Sequence, residues 1–210
     1  MKLTRDQATL DRGSTEWRRI ARRARRLSLL SLVYLGVEGG IAIVAAVSAG
    51  SVALLGFGID SAIEGIASVI IVWRFSGSRT LSEHAERRAQ IAVAGSFFLL
   101  APYITYEAID TLVAGNHAGD SWLGIALSAL SIVWMPLLGI AKVRIGTSLD
   151  SDATVGEGKQ NLLCGYLAAA VLVGLLGNTL FGLWWLDPIV GLGIAALAVW
   201  EGSEAWRGEE

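Results

Sequence analysis

The stretch SVALLGFGIDSAIEG, residues 51–65, carries two acidic residues, Asp60 and Glu64, in an otherwise apolar run that continues to Phe75. Four residues apart, the two carboxylates share one face of a helix. An unpaired charge at the centre of a bilayer costs about 2.5 to 3.5 kcal/mol even on the lenient insertion scale. Two on one turn therefore need a counter-ion, a proton or a cation.

The composition of the whole chain supports a membrane setting. Of 210 residues, 53% are hydrophobic and only 17% charged, with 25 Gly and a mean hydropathy of +0.55. Soluble domains average about 25% charged. One Cys, three Pro and a net charge of -2 exclude a disulfide scaffold, a disordered chain and a nucleic-acid binder. The fold class is an all-α integral membrane protein. Six segments supply the ~20 apolar residues a span requires: Leu27 to Ala49, Val52 to Phe75, Ile91 to Ala114, Trp122 to Ala141, Ala153 to Gly177 and Asp187 to Ala205.

Charge fixes the orientation. Nine of the 17 Lys/Arg precede the first span; Arg74, Arg79, Arg87 and Arg88 flank the second loop, Lys142 and Arg144 fall in the fourth, and Arg207 follows the last span. By the positive-inside rule both termini are cytoplasmic, in the cell (inner) membrane. Residues 1–26 form a basic cytoplasmic amphipathic arm, 27–206 the six-helix domain, and 207–210 a short cytoplasmic tail. In the arm Trp17, Ile20, Ala24 and Leu27 recur at helical spacing, with Arg18, Arg19, Arg22, Arg23, Arg25 and Arg26 on the other faces. That pattern suits a helix lying on an anionic lipid surface, or arginines that only set topology. The apolar stretch after Arg26 is too long for the h-region of a signal peptide.

The opening stretch recurs as SDATVGEGKQNLLCG, residues 151–165. Ser51, Ala53, Gly56, Gly58 and Gly65 pair with Ser151, Ala153, Gly156, Gly158 and Gly165, while Asp60 pairs with Gln160 and Glu64 with Cys164. Span two runs inward and span five outward, which makes an inverted repeat of three spans plus three. Asp60 and Gln160 each lie about 13 Å into the membrane from their serines, from opposite faces. Two such helices side by side can surround one ion with Asp60, Glu64, Gln160 and Cys164. The Gly-x-Gly pairs indicate close helix packing rather than phosphate loops.

These motifs resemble those of the cation diffusion facilitators, whose second span typically reads S-x-A-L-x-A-D-G-x-[HD]-S-x-x-D and whose fifth reads S-x-A-L-x-A-D-x-x-H-x-x-x-D. WWLDPIVGLGIAALAVWEGSEAW, residues 184–206, resembles their sixth span. The resemblance covers the six-span domain and not the cytoplasmic metal-binding domain that most members carry after it, so a short member is expected. It implies a divalent-metal transporter, usually of zinc, working by alternating access and proton antiport as a dimer. By motif position Asp60, Glu64, Gln160 and Cys164 are the metal ligands, and Glu157 falls on the acidic residue that opens the fifth-span motif. The departures are the absence of an intramembrane His, a weak neutral ligand in Gln160, and a soft thiolate in Cys164. Two carboxylates and a thiolate suit Zn²⁺ or Cd²⁺ better than Mg²⁺ or Ca²⁺.

Among the remaining polar residues, Glu38 lies midway along the first span, either as a second-shell or proton-relay group with Glu157 or as a Glu satisfied by neighbouring helices. Lys159 points away from Gln160, toward Glu157 or a lipid headgroup. Glu107 and Asp110 line an external mouth or are helix-end charges in water, and His84 and His117 read as solvated loop residues. No catalytic constellation is visible, so no enzyme and no permanent cofactor are expected. The expected partners are a divalent metal ion such as Zn²⁺, protons, the bilayer and a second copy in a homodimer, with no nucleic acid. The alternative is a non-transporting accessory or metal-binding subunit with a degenerate site.

Overall fold

Ser51 and Ser151 each accept a hydrogen bond at the side chain from the backbone N–H three residues on, Leu54 and Thr154, and so fix where two helices start. Just before them, Gly50 and Asp150 take the left-handed conformation that ends the preceding helices. Two tight helix hairpins thus turn at 50–51 and 150–151. A computed structural model describes residues 11–115 and 119–207. It contains α1 (Thr15–Ala49), α2 (Val52–Arg74), α3 (Glu83–Ala114), α4 (Trp122–Leu149), α5 (Asp152–Phe181) and α6 (Leu186–Arg207), with a short 3-10 helix, Gly77–Leu81, between α2 and α3. No strand occurs among the described residues.

Four of these helices, α1, α2, α4 and α5, are long and apolar enough to cross a membrane. Helices α3 and α6, at 32 and 22 residues, also reach the ~20 residues a span needs. The most extensive packing is α1 on α2, α4 on α5 and α3 on α6, and exchanging the two halves maps this pattern onto itself. Helices α2 and α5 meet in the middle, around a core that includes Leu35, Leu54, Phe57, Met135, Cys164 and Val171. Exposed apolar stripes, Val33, Val37, Val44 and Val47 on α1 and Leu130, Val133 and Leu137 on α4, form surface suited to lipid.

Close approach of backbones locks each hairpin. A Cβ on Gly58 would sit 3.0 Å from Ile43 N, and one on Gly158 2.7 Å from Val143 N. The partners answer in kind: Gly39 faces Gly58 O and Gly139 faces Gly158 O, at 3.1 and 2.8 Å from an added Cβ. The spacing of one hundred therefore reaches back into α1 and α4.

Two expectations change. The fourth span was drawn to end at Ala141, with Lys142 and Arg144 in a loop, but α4 continues to Leu149. Nothing in AKVRIGTSL breaks a helix, and the charge that seemed to mark the boundary is neutralised inside the protein: Lys142 is 0% exposed. The arm, open in the sequence to a place on lipid or to arginines that only set topology, continues α1 without a break from Thr15. Its apolar stripe faces protein instead. The Trp17 indole N–H donates to Leu149 O at 3.3 Å, its ring lies 6.4 Å from that of Phe75, and Ala21 and Ala24 are buried. The six arginines stay exposed on the outer faces. Of the loop histidines, His84 is exposed in the first turn of α3, and His117 lies outside the described residues. Asp110 is exposed; the Glu107 side chain is outside the described ones.

Candidate metal centre

Asp60 and Glu64 occupy successive turns of the buried face of α2, opposite Cys164 on α5. One carboxylate oxygen from each and the Cys164 Sγ all lie within 4.8 Å of one another. The three residues are 6%, 2% and 0% exposed. Neither oxygen of Glu64 has a hydrogen-bond partner among the described residues, although buried carboxylates are ordinarily satisfied several times over. Bond lengths of ~2.0 to 2.3 Å separate the donors around a tetrahedral Zn²⁺ by less than 4 Å, a shorter spacing than the 4.8 Å within which these atoms lie. Gln160 is buried one turn before Cys164, on the same side of α5.

Glu38 and Glu157 are each engaged by side-chain donors from neighbouring helices. The Glu38 carboxylate accepts from Tyr34 (3.0 Å) and Ser131 at Oε1 and from Ser61 (3.1 Å) at Oε2. Those donors lie on α1, α4 and α2, and Ser61 adjoins Asp60. These bonds hold the Glu38 carboxylate from three helices. Glu157 accepts from Lys142 Nζ (2.8 Å) and Ser68 (2.7 Å) at Oε1 and from Ser28 (2.7 Å) at Oε2. Its cation is thus Lys142 rather than Lys159. Glu157 lies about two turns before Cys164 along α5, with its carboxylate engaged by these partners.

Sequence reading missed Lys142, Tyr34 and the four serines. The register of a hairpin turning at 150–151 sets Lys142 opposite Lys159, so its diagonal ion pair with Glu157 is visible only in the structure. The serines offered no signal beyond being small and polar inside spans.

A bundle of six helices, four of them long and apolar enough to cross a membrane, with two carboxylates and a thiol gathered at its centre, defines an integral membrane protein. The family model described as the cation efflux transmembrane domain matches residues 28–205, and the chain belongs to that family. It is 26% identical over 195 residues to a protein of Synechocystis sp. named as an uncharacterized transporter, covering 89% of this chain and 63% of the relative. It is also 28% identical over 145 residues to Transmembrane protein 163 of Xenopus laevis, covering 68% of this chain and 51% of that relative. The chain thus spans between half and two thirds of the length of these relatives.

Proposed function

We propose that the protein moves a divalent transition-metal cation, Zn²⁺ or the softer Cd²⁺, out of the cell across the inner membrane in exchange for protons. Both termini are cytoplasmic in this reading, and the working unit is a homodimer. The observation that carries it is the trio itself: two carboxylates and a thiol within 4.8 Å of one another, buried at mid-helix, one carboxylate having no hydrogen-bond partner among the described residues. An apolar interior has no use for such a group unless something positive visits it.

The donor set gives the chemistry. A thiolate with two carboxylates is harder than a Cys-rich zinc site and softer than the all-oxygen shells of Mg²⁺ and Ca²⁺. Gln160 supplies a neutral fourth donor. Cation binding requires the thiol and both carboxyl groups to be deprotonated, so loading the site releases protons and emptying it takes them back. That exchange is a proton antiport without histidine. The hydroxyls of Tyr34 and Ser61, both bonded to the Glu38 carboxylate, give protons a hydrogen-bonded route beside Asp60.

The test is flux. Wild-type protein in proteoliposomes is expected to carry Zn²⁺ in a saturable manner and to move protons the other way, and Asp60→Ala and Glu64→Ala to abolish both. Zinc binding without flux in the wild type would instead support an accessory subunit, and wild-type flux in both variants would remove the site from the mechanism.

A further inference from the structure

A second buried cluster lies between the proposed cation site and the arginine-bearing end of the bundle. Glu157 of α5 receives hydrogen bonds from Lys142 of α4, Ser68 of α2 and Ser28 of α1, each at 2.7 or 2.8 Å. The side chains of Lys142 and Glu157 are 0% and 2% exposed. One carboxylate therefore joins two helices of the first half to two of the second. Ser68 lies one turn beyond Glu64, and Glu157 about two turns before Cys164, so the cluster sits roughly 6 to 10 Å from the trio by helix rise.

Among the described residues, the repeat-related positions at the other end hold no equivalent ion pair. At the positions one hundred residues away, Glu157 corresponds to Phe57 and Lys142 to Ala42, both 0% exposed. Ser28 corresponds to Ser128, whose hydroxyl has no partner among the described residues, and Ser68 to Ala168. The halves match at their serine caps and packing glycines, yet one end is closed by an ion pair and the other by a phenylalanine and small residues.

We propose that Lys142, Glu157, Ser28 and Ser68 form a latch that closes the cation path toward the arginine-bearing end, with the Lys142 ammonium as a tethered cation. The inference rests on the transport reading above. The latch has the properties a gate needs. Separating a buried pair is costly because each charge is left uncompensated, so the closed state is well defined. An arriving divalent cation offers Glu157 a replacement for Lys142, so the cargo itself lowers the cost of opening. Small monovalent ions, with half the charge, compete less well, and leakage is held down.

Cys164, the chain's one cysteine, is a built-in reporter. Its modification by a membrane-impermeant methanethiosulfonate is measured in vesicles of each orientation, without metal, so the result does not depend on flux. Wild-type protein is expected to react slowly from the arginine-bearing side. Lys142→Met is expected to react at least ~10-fold faster from that side and at an unchanged rate from the other. Ser68→Ala, a milder change that removes one neutral donor, is expected to give a rise of about 2- to 10-fold on the same side. The double exchange Lys142→Glu with Glu157→Lys is expected to return the rate toward the wild type. An unchanged rate in both single variants, or an equal rise from both sides, overturns the latch. Slow, side-specific labelling that responds to these variants in a protein without zinc flux would uphold the latch and refute the transport reading instead.

Discussion

Glu64→Gln removes one of two neighbouring carboxylates and keeps the shape of the side chain. Without metal the site holds protons, since loading it releases them, so Gln replaces a neutral carboxylic acid with a neutral amide of the same shape. The variant is therefore expected to lie within about 1 kcal/mol of the wild type in the absence of metal, or a few degrees in melting temperature. With Zn²⁺ at a hundred times its dissociation constant the wild type should gain about 2.7 kcal/mol, and the variant should gain almost nothing. The two proteins therefore separate only on adding metal. Intrinsic fluorescence of the eight tryptophans, followed during heating in detergent, reads both states. A variant that melts far below the wild type without metal, or that keeps the full metal-induced rise, refutes the reasoning.

Cys164→Ser exchanges a soft donor for a hard one and should shift preference from Cd²⁺ toward Mn²⁺ or Mg²⁺, with Zn²⁺ affinity falling ~10-fold or more, measured by competitive titration. Metal affinity should fall as pH falls, because each of Asp60, Glu64 and Cys164 must shed its proton to bind; zinc titrations from about pH 8 down to about pH 6 should show weakening, and a flat profile contradicts the donor set. Gly158→Ala drives a Cβ to 2.7 Å from Val143 N and 3.0 Å from Gly139 O. Both are backbone atoms, so α4 and α5 must part, and a loss of about 1 to 3 kcal/mol is expected in thermal unfolding.

The packing glycines were readable in the sequence because their requirement is local: two backbones in contact need glycine. The pairs Asp60/Glu64 and Gln160/Cys164 were readable for the same reason, since four-residue spacing alone puts each on one helix face. The end of α4 was not. A lysine in an apolar run looks like the edge of a span until its partner is known, and Glu157 reaches Lys142 only through the hairpin. The arm shows the same limit. Its apolar stripe was visible, yet nothing local distinguishes a stripe that meets lipid from one that meets Phe75 and Leu149. The hydroxyls of Ser28, Ser61, Ser68 and Ser131 acquire meaning only from the carboxylates that other helices bring to them.

The claim that a metal ion is held between Asp60, Glu64 and Cys164 is tested most directly by X-ray absorption spectroscopy of the zinc-loaded protein. A four-coordinate shell is expected, with one sulfur at about 2.3 Å and the remaining oxygen or nitrogen ligands at about 2.0 to 2.2 Å, the sulfur contribution vanishing in Cys164→Ser. A shell without sulfur, or a six-coordinate all-oxygen one, would contradict it.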